Sequence, residues 1–212
     1  MKQAIKICGI TTADAFECTR KAGATHAGFM FVEASPRFIT PHAAAEIAPP
    51  GSGMLRVAVT SDQSDEALDA IETSFRPDLW QLHGRETPAR IQDVKTRFGR
   101  PVMKAVTING PEGIRLAHDY EDVADILMLD AAAGGSGKPF DWTLLPPGAW
   151  RKPWFLAGGL SPETVERAIY QTRPDGVDVS SGVESARGIK DIARIAAFIM
   201  HARQAFNAIA GT

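Results

Sequence analysis

Eight short apolar runs recur along the chain at near-even spacing, and a segment carrying helix signals follows each. The runs are AIKIC (4–8), HAGFMF (26–31), LRVAV (55–59), LWQLH (79–83), VMKAV (102–106), ILMLD (126–130), WFLAG (154–158) and GVDVS (176–180). Strands that alternate with helices can only pair in parallel, because each helix returns the chain to the same end of the sheet. Over 212 residues this gives roughly 26 residues per unit, compact for a (β/α)8 barrel but within its range. A doubly wound open sheet is the competing α/β architecture. It needs fewer strands and favours GxGxxG after the first one, where this chain reads CGITTA. No composition break marks a second domain, so the expectation is one (β/α)8 TIM barrel over residues 1–212.

The intervening segments are punctuated as helices are. Thr12 precedes ADAFECTRKAG, whose Gly23 stands where a C-terminal cap belongs, and Ser64 precedes DEALDAIETSF. Thr87-Pro88 and Ser161-Pro162 each place a capping hydroxyl before a proline suited to the first helical turn. In the last segment Ile192, Ile195, Ala196 and Ile199 fall on one predicted face.

Parity within the strands supports closure. Side chains alternate along a strand, so Ile5 and Ile7 share one face while Lys6 and Cys8 share the other. The isoleucines suit a helix-covered exterior, which leaves the lysine and the thiol inside the barrel. Asp178, between Val177 and Val179, repeats the pattern in the eighth strand. A charge inside a barrel needs a partner, and strands one and eight are neighbours at closure, so a Lys6–Asp178 pair is expected. Trp80 and Trp154 have the parity of core or helix-facing residues.

Composition narrows the function classes. The chain is 44% hydrophobic and 23% charged, with a net charge of −2, which gives no electrostatic reason to expect nucleic acid. No apolar stretch approaches the roughly 20 residues that span a bilayer, and the N-terminus enters a strand without a signal-like region. Two cysteines, Cys8 and Cys18, make no disulfide framework and no zinc-type CxxC pair, so a cytoplasmic protein without a metal is expected. Nothing in the pattern fixes an oligomeric state.

Two chemically active residues stand at strand ends. Asp130 closes ILMLD and opens onto AAAGGSG, and Cys8 closes the first strand with Gly9 behind it. In a barrel, sites gather at the carboxyl ends of the strands, where such residues meet over a small ligand. Asp130 serves equally well as a loop cap from position alone, and a free cysteine is most often a small buried hydrophobe. Cys18, within the first helix, fits that bland role. His83, after strand four, either lines the pocket or is a hydrogen-bonded structural histidine. Three glycine-rich turns follow the last three strands, at Gly134 to Gly137, Ala157 to Gly159 and Ser180 to Gly182. Barrels build phosphate sites after strands seven and eight, at the start of a short extra helix, a role open to VESARGIKD. Gly135, Gly137, Gly158, Gly159, Ser181 and Gly182 are the candidate phosphate contacts.

KICGIT (6–11), SPR (35–37), QLHG (81–84), LMLD (127–130), GGSGKPFDW (134–142), LAGGLSPETV (156–165) and GVDVSSGVES (176–185) together resemble the phosphoribosylanthranilate isomerase family of tryptophan biosynthesis. The resemblance runs in order along essentially the whole chain. It implies a cofactor-free Amadori rearrangement of a phosphorylated small molecule. It also implies Cys8 as general base, Asp130 as general acid, and Arg37 as the partner of the anthranilate carboxylate. His83 and Asp178 are the remaining candidate substrate contacts. The loop reads GGSG where threonine is common in third place, and Thr164 stands where asparagine is frequent.

The chemistry sets demands on both groups. A free thiol near pKa ~8.5 is only a few per cent thiolate at neutral pH, so Lys6 on the same strand face, or nearby amide dipoles, are expected to help ionise it. A free aspartate near ~3.9 is almost wholly ionised at pH 7, so an acid role requires desolvation or a neighbouring negative charge. Two rivals remain. A related histidine-pathway isomerase typically uses two aspartates, against which the thiol at Cys8 argues. A catalytically silent binding barrel would not need Cys8 and Asp130 intact.

Overall fold

The computed structural model describes residues 3–130 and 142–211. Eight parallel strands close into a barrel in chain order. They are β1 (Ala4–Cys8), β2 (His26–Met30), β3 (Leu55–Thr60), β4 (Leu79–Leu82), β5 (Val102–Thr107), β6 (Ile126–Asp130), β7 (Trp154–Ala157) and β8 (Gly176–Val179). All eight expected strands form, and their C-terminal ends differ from the reading by at most one residue. Outside them run α1 (Ala13–Ala22), α2 (Pro41–Ile47), α3 (Asp65–Ser74), α4 (Pro88–Phe98), α5 (Pro111–Asp119), α6 (Val165–Thr172) and α7 (Ile192–Ala210).

Local signals set several boundaries. Thr12, Ser64 and Thr87 each accept a hydrogen bond from a backbone N–H of the first turn of α1, α3 and α4, and Gly23 ends α1 in the left-handed region with φ 89°. Ser161-Pro162 behaves differently. The chain makes a turn there, with Ser161 O accepting from Thr164 and Val165 N–H, and α6 starts only at Val165. The sixth connection departs further. Its described residues hold only a short 3-10 turn (Trp142–Leu144), since Pro146, Pro147 and Pro153 deny a helix its N–H donors.

The core has two compartments, as strand parity requires. Ile5 and Ile7 join the layer between sheet and helices, whereas Ala4, Cys8, Met103, Met128 and Phe155 fill the barrel interior. Trp80 faces outward onto Phe98 of α4, with ring centroids 4.9 Å apart, and Trp154 lies near Trp150. Helix α7 buries Ile195, Phe198, Ile199, Ala202, Ala205 and Phe206. Ile192 and Ala196, expected on that face, are exposed, because the buried stripe is centred nearer Phe198 and Ala202. Among the described residues no helix is long and apolar enough to cross a membrane.

Closure brings β8 beside β1 with Lys6 opposite Asp178 in register. Lys6 is fully buried, and its Nζ donates to Asp178 Oδ1 at 2.7 Å. The segment VESARGIKD is not the short helix expected of it. It forms a hairpin of β9 (Glu184–Ala186) and β10 (Ile189–Lys190), turned at Gly188 with φ 85°. The short helical turn lies just before it, at Ser181–Val183.

Candidate active site

A cleft of about 310 Å³ opens at the carboxyl ends of the strands. Cys8, Met30, Arg37, Gln81, His83, Asp130, Gly158, Gly159, Asp178 and Ser181 all border it. Cys8 reaches it from β1 and Asp130 from β6, on well-separated parts of the barrel wall. Two glycines make room, one for the thiol and one for the arginine. A Cβ on Gly28 of β2 would lie 3.0 Å from Cys8 Sγ, and one on Gly9 would meet the Arg37 side chain at 2.6 Å. Gly9 also holds φ 76°, a left-handed turn that glycine adopts without strain. This explains why a glycine follows the strand-end thiol: the Arg37 stem lies over it.

Burial pushes the Cys8 thiol above its ordinary value. Lys6 and Lys190 pull the other way, as expected of Lys6, but desolvation outweighs them and Asp178 adds to it. Lys6 itself stays protonated. Burial lowers its value, yet the charges of Asp178 and Cys8 raise it further than burial lowers it.

On the β4–β6 side, Gln81, His83 and Asp130 form a chain. Gln81 Nε2 lies 3.2 Å from His83 Nδ1, and His83 Nε2 lies 3.4 Å from Asp130 Oδ2. With an amide N–H pointing at it, Nδ1 is the acceptor, so a neutral His83 carries its proton on the nitrogen that faces Asp130. Gln81 is fully buried, and its Oε1 has no partner among the described residues. Sequence reasoning passed over Gln81, although its inward parity beside outward Trp80 was the available signal. Met30, Leu160 and Ser180 are further lining residues it did not single out.

The turns after β7 and β8 form the opposite rim. Gly158 and Gly159 take φ 85° and 66°. A Cβ on Gly182 would lie 1.9 Å from Leu160 O, so only glycine lets the two turns stack backbone to backbone. Gly158, Gly159 and Ser181 border the cleft, while Gly182 sits behind Ser181 as the packing contact. Gly135 and Gly137 lie outside the described residues.

Arg37 is held from behind. Its backbone N–H bonds Ser35 Oγ, shaping the SPR turn, and its Nε and Nη2 make a paired contact with Glu184 at 2.6 and 2.9 Å. Glu184 is the second residue that sequence reasoning did not assign. Only its place after GVDVSSGV pointed to it, since its partner lies 147 positions away.

A closed parallel barrel with polar and ionisable side chains gathered at its C-terminal mouth belongs to the (β/α)8 enzymes, which act on small ligands at that face. Its particular family follows from comparison with known proteins. The family model described as N-(5'phosphoribosyl)anthranilate (PRA) isomerase matches residues 5–201. The N-(5'-phosphoribosyl)anthranilate isomerase of Paracoccus denitrificans is 48% identical over 95% of this chain and 98% of its own. That of Agrobacterium fabrum is 43% identical over 93% and 94%. The crystal structure of the phosphoribosyl anthranilate isomerase from Thermotoga maritima superposes with a TM-score of 0.85 at 34% identity, covering 96% of this chain and all of the other (100%). A second structure, of a phosphoribosyl anthranilate isomerase with reduced 1-(o-carboxyphenylamino)-1-deoxyribulose 5-phosphate, gives 0.83 at 33% identity over 96% and 100% of the chains. The chain belongs to the N-(5'-phosphoribosyl)anthranilate isomerase family, whose members are aldose–ketose isomerases.

Proposed function

We propose that the cleft converts N-(5-phosphoribosyl)anthranilate to 1-(o-carboxyphenylamino)-1-deoxyribulose 5-phosphate, an isomerisation of L-tryptophan synthesis, with Cys8 as general base and Asp130 as general acid. The observation that carries this reading is that Cys8 and Asp130 border one cleft from β1 and β6, with the glycine turns after β7 and β8 on its rim. A proton from Asp130 to the furanose ring oxygen breaks the C1–O bond, and the nitrogen lone pair completes an iminium ion. Cys8 thiolate then takes the C2 proton, and the C–H electrons neutralise the iminium to give an enolamine. Tautomerisation of the enol yields the ketone, so the reaction is proton-neutral overall and calls for no cofactor.

The surroundings supply the rest. The backbone N–H groups around Gly158, Gly159 and Ser181 suit the phosphate. Asp178, whose Oδ1 is taken by Lys6, has its other oxygen for a sugar hydroxyl. Arg37 receives the anthranilate carboxylate, and His83 flanks Asp130. A reducing cytoplasm is where a thiol in this role persists. The test is direct. Adding purified protein to the fluorescent anthranilate substrate should abolish its fluorescence catalytically. An unchanged signal at enzyme concentrations comparable to substrate would instead indicate a silent binding barrel.

A further inference from the structure

Glu184 is saturated. Its Oε1 accepts from Arg37 Nε at 2.6 Å and Lys190 Nζ at 2.8 Å, and its Oε2 accepts from Arg37 Nη2 at 2.9 Å and Gly188 N–H at 3.0 Å. The hairpin is built around this carboxylate. Lys190 stands opposite Glu184 across the two short strands, and the turn at Gly188 packs on Pro36, where a Cβ would come within 2.7 Å of the Pro36 carbonyl oxygen. The Glu184 side chain is only 4% exposed and does not border the cleft. Arg37, Lys190 and the Gly188 N–H hold its carboxyl at about 2 against the opposing pull of desolvation, so it is anionic under all working conditions.

The pairing consumes one edge of the Arg37 guanidinium. Of its five N–H donors, two are spent on Glu184; the other three have no protein partner among the described residues, and two of them, one on each of Nη1 and Nη2, form the second fork. Arg37 borders the cleft, so this second edge is what a ligand meets. Lys190 carries the arrangement onward. Besides Glu184, its Nζ donates to Ser180 O at 2.9 Å, at the start of the turn beside the phosphate rim. One buried carboxylate therefore connects the arginine on the β2 loop to the turn after β8.

We infer that Glu184 is a positioning residue that fixes which edge of Arg37 faces the ligand, and so sets the requirement for a carboxylate ortho to the substrate's amine. This rests on the reading of Arg37 above. It acts through Arg37, not on the reacting atoms. A guanidinium clamped on one side presents the other as a pre-oriented fork, which saves the ordering cost that a free arginine meets on binding.

The test compares the anthranilate substrate with the phosphoribosyl amine of aniline, which lacks the carboxylate. With purified Glu184→Gln whose melting shows a folded protein, kcat/KM on the anthranilate substrate should fall roughly 10- to 100-fold, mainly through KM, as expected for a lost charge-assisted contact. On the aniline substrate it should stay within about 3-fold of the parent, and Arg37→Leu/Glu184→Gln should be no worse than Arg37→Leu alone. Should Glu184→Gln not fold, Glu184→Asp keeps the charge but withdraws it by one methylene, and carries the same test. Equal losses on both substrates, or no loss, overturn the role of Glu184 if Arg37→Leu erases the preference for the carboxylate. An Arg37→Leu variant that keeps the preference overturns the Arg37 reading itself, and the Glu184 inference with it.

Discussion

Lys6 Nζ donates to Asp178 Oδ1 at 2.7 Å, directly across the seam where β8 closes on β1. Both residues are buried, so the pair both joins the ends of the sheet and places a cation beneath Cys8. Removing one partner leaves the other charge without compensation. Lys6→Met is expected to destabilise the fold by about 3–5 kcal/mol in denaturant unfolding, and adding Asp178→Asn should recover part of that. An unfolding midpoint unchanged by Lys6→Met would show the seam does not depend on the pair.

Cys8→Ala and Asp130→Asn should each lower kcat by roughly 10²–10⁴-fold while still folding cooperatively, as expected when a general base or acid is removed. Near-normal turnover by either purified variant, in the fluorescence assay, would exclude that residue from its role.

The Cys8 thiol lies above the ordinary thiol range because burial outweighs the pull of Lys6 and Lys190. The thiolate fraction therefore keeps growing as the pH climbs, and alkylation of Cys8 should accelerate with pH throughout the mildly alkaline region without levelling. Mass spectrometry of iodoacetamide-treated protein, read separately for Cys8 and the half-buried Cys18, measures this. A rate at Cys8 that is already flat at neutral pH would contradict the desolvated environment.

His26, buried inside the barrel, is lowered to about 4, first by desolvation and then by the charge of Lys6. Its Nδ1 lies 2.7 Å from Thr25 Oγ1, and its Nε2 has no partner among the described residues. Because the folded value lies below the unfolded one near ~6.5, the unfolded chain binds the proton first as the pH falls. Stability from this group is complete above pH ~6.5 and is lost progressively down to about pH 4, amounting to about 3 kcal/mol. His26→Gln should flatten that part of the stability curve. The protonation of Glu184 falls in a lower window, between the ordinary carboxylate range and about 2, and leaves the comparison clear. Parallel curves for parent and variant between pH 4 and 6.5 would refute the assignment.

Much of this molecule is written locally. The strands, the capped starts of α1, α3 and α4, the inward parity of Lys6 and Cys8, and the strand-end positions of Cys8 and Asp130 follow from a two-residue alternation and from hydroxyl caps. Both act over a few residues, so the sequence alone determines them. Even the Lys6–Asp178 pair was legible, because closure of a parallel barrel makes its first and last strands neighbours. The tertiary structure decided what depends on distant groups sharing low-dielectric space. It made VESARGIKD a hairpin around Glu184, turned one edge of Arg37 away from the cleft, linked Gln81 to His83 and Asp130, and let desolvation outweigh Lys6 at the Cys8 thiol. None of these is a property of a segment. Each is a balance of burial against a partner that only the closed barrel brings within reach.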